Sequence, residues 1–183
     1  MTAPVSPPSP YSAPTKQSNV EAHTLSVLVD NEPGVLARVV GLFSGRAYNI
    51  ESLTVAEVAH AEHLSRITIR TLGAPETIEQ IRHQLERLVP VRKITDLTLG
   101  GRSLERELAM VKVKGRGDDR TDALQLADAF RARVVDATTE SFIFVLTGKP
   151  EKIDEFVDLM RPIGLVEVSR TGVAAISRGP EPI

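Results

Sequence analysis

Residues 24–45 of the chain read TLSVLVDNEPGVLARVVGLFSG, and their pattern predicts a strand, a tight turn and a helix. Within residues 24–30, Leu25, Val27 and Val29 alternate with polar side chains, as in a strand that buries one face. Residues 31–34 form a turn cluster, and the apolar residues after it recur at helical spacing. The predicted helix begins at position 33 or 34 and ends near Gly45.

The pattern continues outward from this unit to about residue 100. The next four predicted elements are a strand at 49–58, a strand at 64–71, a helix from Pro75 to Pro90 and a strand at 91–99. The order of elements is therefore βαββαβ. Gly100 and Gly101 mark its predicted end.

The second half of the chain repeats this order. Its predicted elements are a strand at 108–114, a helix around 123–130, strands at 133–138 and 142–147, a helix around 153–160 and a strand at 165–176. The repeat predicts an α+β fold of two ferredoxin-like βαββαβ sandwiches in tandem, each a four-stranded antiparallel sheet with two helices on one face. The second face of each sheet would then be uncovered, which predicts dimerisation or docking.

Composition narrows the class of protein. The chain has 183 residues, 42% of them hydrophobic, and a formal charge of -2, which argues against nucleic acid as a partner. Because it has no cysteine, disulfides, thiolate zinc sites and cysteine nucleophiles are excluded. No apolar run approaches the ~20 residues of a membrane span. Residues 1–22, rich in Pro and Ser, predict a disordered leader, and we expect a cytoplasmic protein with no membrane partner.

The motifs that could support catalysis or metal binding are incomplete. His60 and His63 have a spacing that a metal could use, but they fall in a predicted turn with no third ligand implied nearby. Gly148 and Lys149 resemble the end of a phosphate-binding loop, yet Ile143 stands where that motif requires glycine. We therefore predict no metal site and no catalytic residue on this chain.

The turn at residues 31–36 is the segment best suited to a ligand. A helix N-terminus offers free backbone N–H groups that can hold a carboxylate. Gly34 allows a ligand close to the backbone, Asn31 supplies a donor and an acceptor, and Val35 with Leu36 offers an apolar wall. These features suit a small α-amino acid, although the same residues also suit a turn that binds nothing.

Specific motifs along the chain resemble a known family. They include VLVDNEPGVLARV at 27–39, GLF at 41–43 and YNIESLTV at 48–55, with further matches at 64–69, 79–85, 106–113 and 170–179. Over residues 23–179 the chain resembles the small, regulatory subunit of acetolactate synthase, also called acetohydroxyacid synthase.

The resemblance implies a non-catalytic chain that activates a separate large subunit. Residues 23–100 would be an ACT domain that binds valine for feedback inhibition, and residues 105–179 a C-terminal ferredoxin-like domain. The large subunit would carry thiamine diphosphate, magnesium and FAD, so the resemblance implies no cofactor on this chain.

In this family valine lies between two ACT domains, in contact with the strand-to-helix turn of one and with residues after the first helix of the other. Carried onto this chain, the first group is Asn31, Gly34, Val35 and Leu36, and the second is Asn49 and Ile50. This arrangement implies a homodimer through the ACT domains. Two alternatives stay open: a free-standing amino-acid-binding regulator with a different partner, and a small enzyme on a ferredoxin-like scaffold.

Overall fold

The computed structural model describes residues 20–99 and 103–181, which form nine strands, four α-helices and one short 3-10 helix. The elements are, in chain order, β1 (Glu21–Asp30), α1 (Val35–Ser44), β2 (Ser52–Ala59), a short 3-10 helix (His60–Glu62), β3 (Leu64–Gly73), α2 (Pro75–Glu86), β4 (Val91–Asp96), β5 (Ser103–Lys114), α3 (Asp118–Phe130), β6 (Arg133–Ala137), β7 (Ser141–Gly148), α4 (Pro150–Gly164), β8 (Leu165–Arg170) and β9 (Ala174–Ser177). The predicted α+β class is confirmed.

The first sheet has the antiparallel order β2-β3-β1-β4, with Leu25 opposite Ile69 and Val27 opposite Ile67. One face carries these alternating apolar side chains and packs against α1 and α2, where Phe43 and Ile81 are fully buried. The alternation in residues 24–30 therefore predicted the correct buried face. The apolar spacing of each helix supplies the matching stripe.

The second sheet repeats this arrangement. Its main strands follow the order β6-β7-β5-β8, and α3 and α4 cover one face. Val111 of β5 and Phe144 of β7 are register partners, and both are buried against Phe156 of α4. The two sheets are built on the same plan, as the repeat of element order predicted.

The start of the first strand differs from the prediction. β1 begins at Glu21, inside the segment predicted as a leader, because Glu21 and Ala22 extend the ladder with Gly73 and Leu72 of β3. Residues 1–19 of the predicted leader lie outside the described residues, as do Gly100 and Gly101 at the predicted boundary.

The predicted last strand at 165–176 is in fact two strands that run to different places. β8 ends at Arg170, Gly172 adopts a left-handed φ of 79°, and β9 pairs with the first residues of β5, from Ser103 to Arg106. This pairing also explains why β5 begins at Ser103 instead of the predicted position 108. A single strand was predicted because the apolar pattern continues across Gly172, and periodicity does not show where a strand changes partner.

The second face of the first sheet is covered, at least in part, by the chain itself. Thr24, Ser26 and Thr68 lie on this face, and each is buried. Val173 lies against the face through hydrogen bonds to Ser52 and Thr54 of β2. The prediction of an uncovered second face is therefore wrong for the part of this sheet that carries these hydroxyl side chains, where a backbone segment approaches closely.

Candidate functional site

The turn between β1 and α1 presents an exposed helix N-terminus. Gly34 occupies the N-cap with a φ of 86° and provides no side-chain cap. The first helical hydrogen bond runs from the Arg38 N–H to the Gly34 carbonyl, so the N–H groups of Leu36 and Ala37 have no acceptor within the helix. Free N–H groups and the positive end of the helix dipole both favour a carboxylate at this position.

The side chains around this turn differ in what they offer a ligand. A Cβ at Gly34 would meet open space, and Asn31 and Leu36 are exposed beside it. Val35 is 4% exposed and packs into the core under α1, so of the two predicted wall residues only Leu36 offers its side chain. The structure therefore brings Asn31, Gly34 and Leu36 together at one exposed turn.

Asn49 and Ile50 lie at the opposite end of the first sheet. They precede β2 instead of starting the strand predicted at 49–58, and the Asn49 carbonyl accepts a 2.6 Å hydrogen bond from the Thr71 hydroxyl. Thr71 pairs with His23 near the start of β1, whereas Asn31 follows its end. Since the ten residues of α1 span ~15 Å, the two predicted groups of valine contacts do not meet within one chain.

A cleft between the two domains contains an ion pair that sequence reasoning missed. The cleft measures ≈ 510 Å³ and is lined by Arg70, Glu107, Asp154 and Arg170 among others. Glu107 is 4% exposed, and Arg170 donates to both of its carboxylate oxygens, at 2.8 Å from Nε and 2.6 Å from Nη2. These hydrogen bonds raise the pKa of Arg170 above its usual value, although burial opposes the increase.

Arg70 joins the two domains across the same cleft. Its guanidinium contacts Glu51 of its own domain at 3.2 Å, Glu105 of β5 at 3.5 Å and Glu151 of α4 at 3.2 Å. Burial lowers the pKa of Arg70, but the hydrogen bonds to Glu151 and Glu51 outweigh it and the net shift is upward. Glu105 and Glu151 lie 35 and 81 positions from Arg70 in the sequence, and contacts over such distances leave no periodic pattern of residues. The sequence therefore indicated only that Arg70 lies on the polar face of its strand.

Two exposed histidines, His63 and His83, lie outside the cleft. His83 pairs with Glu79 at 3.1 Å on the surface of α2. Among residues 20–99 and 103–181, no three His, Asp or Glu side chains form a cluster that could hold a metal ion. His63 is exposed, while the side chain of His60 lies outside the described residues.

No helix in the described part of the chain is long and apolar enough to cross a membrane.

The first domain is an ACT domain. Residues 25–93 match the family model of the AHAS small subunit-like ACT domain, and residues 106–179 match a second model described as the small subunit of acetolactate synthase. The chain belongs to the acetolactate synthase small-subunit family.

Relatives match over nearly their whole length. The probable acetolactate synthase small subunit of Archaeoglobus fulgidus is 45% identical over 86% of this chain and 97% of its own. The isozyme 3 small subunit of Escherichia coli is 43% identical over 85% of this chain and 94% of its own. The crystal structure of the acetolactate synthase small subunit from Thermotoga maritima superposes with a TM-score of 0.78, at 37% identity, over 88% of this chain and 99% of its own.

The buried ion pair in the cleft generates a stability prediction. Changing Arg170 to Met would leave the Glu107 carboxylate buried without its partner. Because the Arg170 side chain is 36% exposed, the expected loss is about 2–4 kcal/mol of unfolding free energy, less than for a fully buried pair. Urea denaturation followed by circular dichroism measures this loss.

The matched control is Arg161→Met. Arg161 pairs with Asp158 at 2.9 Å on the surface of α4, and both side chains are largely exposed. The expected loss there is below about 1 kcal/mol. Equal losses in the two variants would show that the contact between Arg170 and Glu107 has no special importance for stability.

Proposed function

We propose that this chain is the non-catalytic regulatory subunit of acetolactate synthase, which activates the large subunit and makes it sensitive to feedback inhibition by valine. The observation that carries the proposal is the uncapped N-terminus of α1 in the ACT domain of a chain from this family. Such a subunit would act in branched-chain amino-acid biosynthesis, where valine is an end product.

The chemistry of valine matches the groups at the two ends of the sheet. The valine carboxylate would accept hydrogen bonds from the free N–H groups of α1. The carboxamides of Asn31 and Asn49 would provide acceptors for its ammonium group. Its isopropyl group would pack against Leu36 and Ile50. These contacts use residues from both predicted groups.

A complete site on this proposal requires two copies of the chain. The turn at residues 31–36 and the segment at 49–50 lie at opposite ends of α1, so one copy supplies each half. A two-fold symmetric homodimer through the ACT domains would form two such sites, because a symmetric interface presents the same residues twice.

Valine would act on the large subunit through linkage. If valine binds one arrangement of the small subunit better than another, it biases the arrangement that supports the large subunit. A coupling free energy of about 1–3 kcal/mol changes that equilibrium about 5–150-fold, which is enough for control. The cofactors expected for the reaction, thiamine diphosphate, magnesium and FAD, belong on this proposal to the large subunit.

Reconstitution of the holoenzyme tests both parts of the proposal. Acetolactate formation by the purified large subunit is measured with and without this chain, across titrations of valine, isoleucine and leucine. We expect the chain to raise activity and to make it sensitive to valine. Because one methylene contributes about 0.8 kcal/mol, the three amino acids are expected to differ only several-fold in potency. If the chain changes neither activity nor sensitivity, a free-standing regulator with a different partner becomes the better account.

The small-enzyme alternative is tested in the same assay. Turnover of pyruvate by this chain alone would support it, and we expect none. Co-purification of the chain with a large thiamine-dependent protein would argue against the free-standing regulator.

Gly34→Asp tests the carboxylate site. The substitution places a negative charge where the valine carboxylate would bind. Since a hydrogen bond to a charged group contributes about 1.5–3 kcal/mol, we expect valine affinity to fall at least about tenfold while activation of the large subunit remains. Gly117→Asp is the matched control, because Gly117 is the N-cap of α3, also has a positive φ and also faces open space. Unchanged valine inhibition with Gly34→Asp would show that the site is elsewhere.

Mixed dimers test whether two copies share each site. Gly34→Asp and Asn49→Ala damage opposite halves, so each variant alone would lose both sites of its dimer. A mixed dimer would keep one intact site, and random mixing of equal amounts would restore about a quarter of all sites. Calorimetric titration with valine measures this fraction. Recovery of no tight sites would indicate that each site lies within one chain.

A further inference from the structure

The C-terminal segment is held on the first sheet by two hydroxyl groups of β2. The Val173 N–H donates to Ser52 Oγ at 2.8 Å, and Thr54 Oγ1 donates to the Val173 carbonyl at 2.9 Å. Val173 is 1% exposed, so both of its backbone polar groups are buried and satisfied by side chains of the other domain. We call the contact between Ser52, Thr54, Gly172 and Val173 the interdomain seam.

Gly172 allows this close approach. Its φ of 79° is left-handed, and a Cβ there would stand 2.8 Å from Ser52 Oγ and 3.1 Å from Thr54 Cγ2. A side chain would therefore both strain the backbone and push the seam apart. The seam therefore depends on a glycine at position 172, both for its left-handed φ and for the absence of a Cβ.

A charged bridge lies beside the seam. Arg70 of β3 contacts Glu151 of α4 and Glu105 of β5, and it also contacts Glu51, the residue directly before Ser52. The charged bridge and the seam thus connect the same edge of the first sheet to the second domain. The cleft of ≈ 510 Å³ opens next to them, since Ser52, Arg70 and Val173 all line it.

The seam is continuous with the segment assigned to the effector. Residues 49–50, which contact valine in the proposed function, directly precede Glu51 and Ser52. This segment is fastened to β3 by the bond from the Thr71 hydroxyl to the Asn49 carbonyl and by the bond from the Glu51 N–H to the Arg70 carbonyl, 2.8 Å long. If ligand binding shifts residues 49–50, the shift would be transmitted to Ser52, two positions further along the chain. It would also be transmitted to Arg70, whose carbonyl accepts the hydrogen bond from the Glu51 N–H.

β5 connects the interdomain seam to the core of the second domain. The first part of β5 pairs with β9, which follows Val173, and the rest of the strand is central in the second sheet. A displacement of the seam would thus act directly on the core strand of that domain.

We propose that the interdomain seam and Arg70 form the coupling element through which an amino acid bound at residues 49–50 biases the position of the C-terminal domain. The inference rests on the proposed function for the identity of the effector. The seam contacts themselves are independent of it. This coupling element explains how a ligand in the ACT domain would alter the C-terminal domain.

Gly172→Ala tests the coupling in the reconstituted holoenzyme. We expect valine to bind with affinity within about twofold of the unchanged chain, while its maximal effect on acetolactate formation falls at least about fivefold. Gly179→Ala is the matched control, because Gly179 also has a left-handed φ but a Cβ there meets open space. We expect the control to keep both binding and inhibition. Full inhibition with Gly172→Ala would overturn the proposal.

Thr54→Val provides a second variant that keeps the shape of the side chain and replaces its hydroxyl with a methyl group. It is expected to uncouple binding from inhibition in the same way. Hydrogen exchange of β9 and the first part of β5 is followed with and without valine. Valine should change this exchange in the unchanged chain and not in either seam variant. If valine changes the exchange equally in all chains, the seam does not carry the signal.

The outcomes separate the two proposals. If the unchanged chain neither binds valine nor confers inhibition, the proposed function fails, and the coupling fails with it. If the unchanged chain is inhibited and the seam variants are inhibited equally, the proposed function stands and the coupling alone is wrong.

Discussion

The packing of the two domains depends on one constraint, which is that buried backbone polar groups must find hydrogen-bond partners. The second face of the first sheet carries small hydroxyl side chains, and two of them satisfy both the N–H and the carbonyl of Val173. An apolar face could bury a side chain, but it could not provide hydrogen-bond partners for the N–H and carbonyl groups of an isolated backbone segment. These hydroxyls therefore explain why Gly172 and Val173 leave the ladder of β8 and dock on the first sheet before β9 pairs with β5.

The same arrangement separates the functions of the two faces of the first sheet. The face toward α1 and α2 is a closed apolar core, and the α1 N-terminus at its end is open to a ligand. The other face contacts the second domain through its hydroxyls and through Arg70. On our proposals, an effector site and an interdomain contact share the first sheet, and the segment before β2 belongs to both.

The charged side chains differ between the helix surface and the cleft between the domains. Exposed ion pairs such as the one between Arg161 and Asp158 lie on the helix surface and contribute little to stability. The guanidinium groups of Arg70 and Arg170 are instead concentrated at the cleft, where their carboxylate partners come from distant parts of the chain. Partial burial strengthens such pairs, and it also makes the loss of one partner costly.

Local patterns were sufficient to predict the two βαββαβ units, the buried face of β1 and the turn at Gly34, because periodicity and turn chemistry act over a few residues. The family motif at residues 48–55 pointed to the second group of effector contacts. The division of the last strand, the docking of Val173 and the partners of Arg70 in the second domain were not predictable. These contacts join residues 35 to 121 positions apart and depend on the way two complete domains pack. The tertiary structure alone also showed that the two groups of predicted effector contacts lie at opposite ends of α1, since distance in space follows from the path of the folded chain.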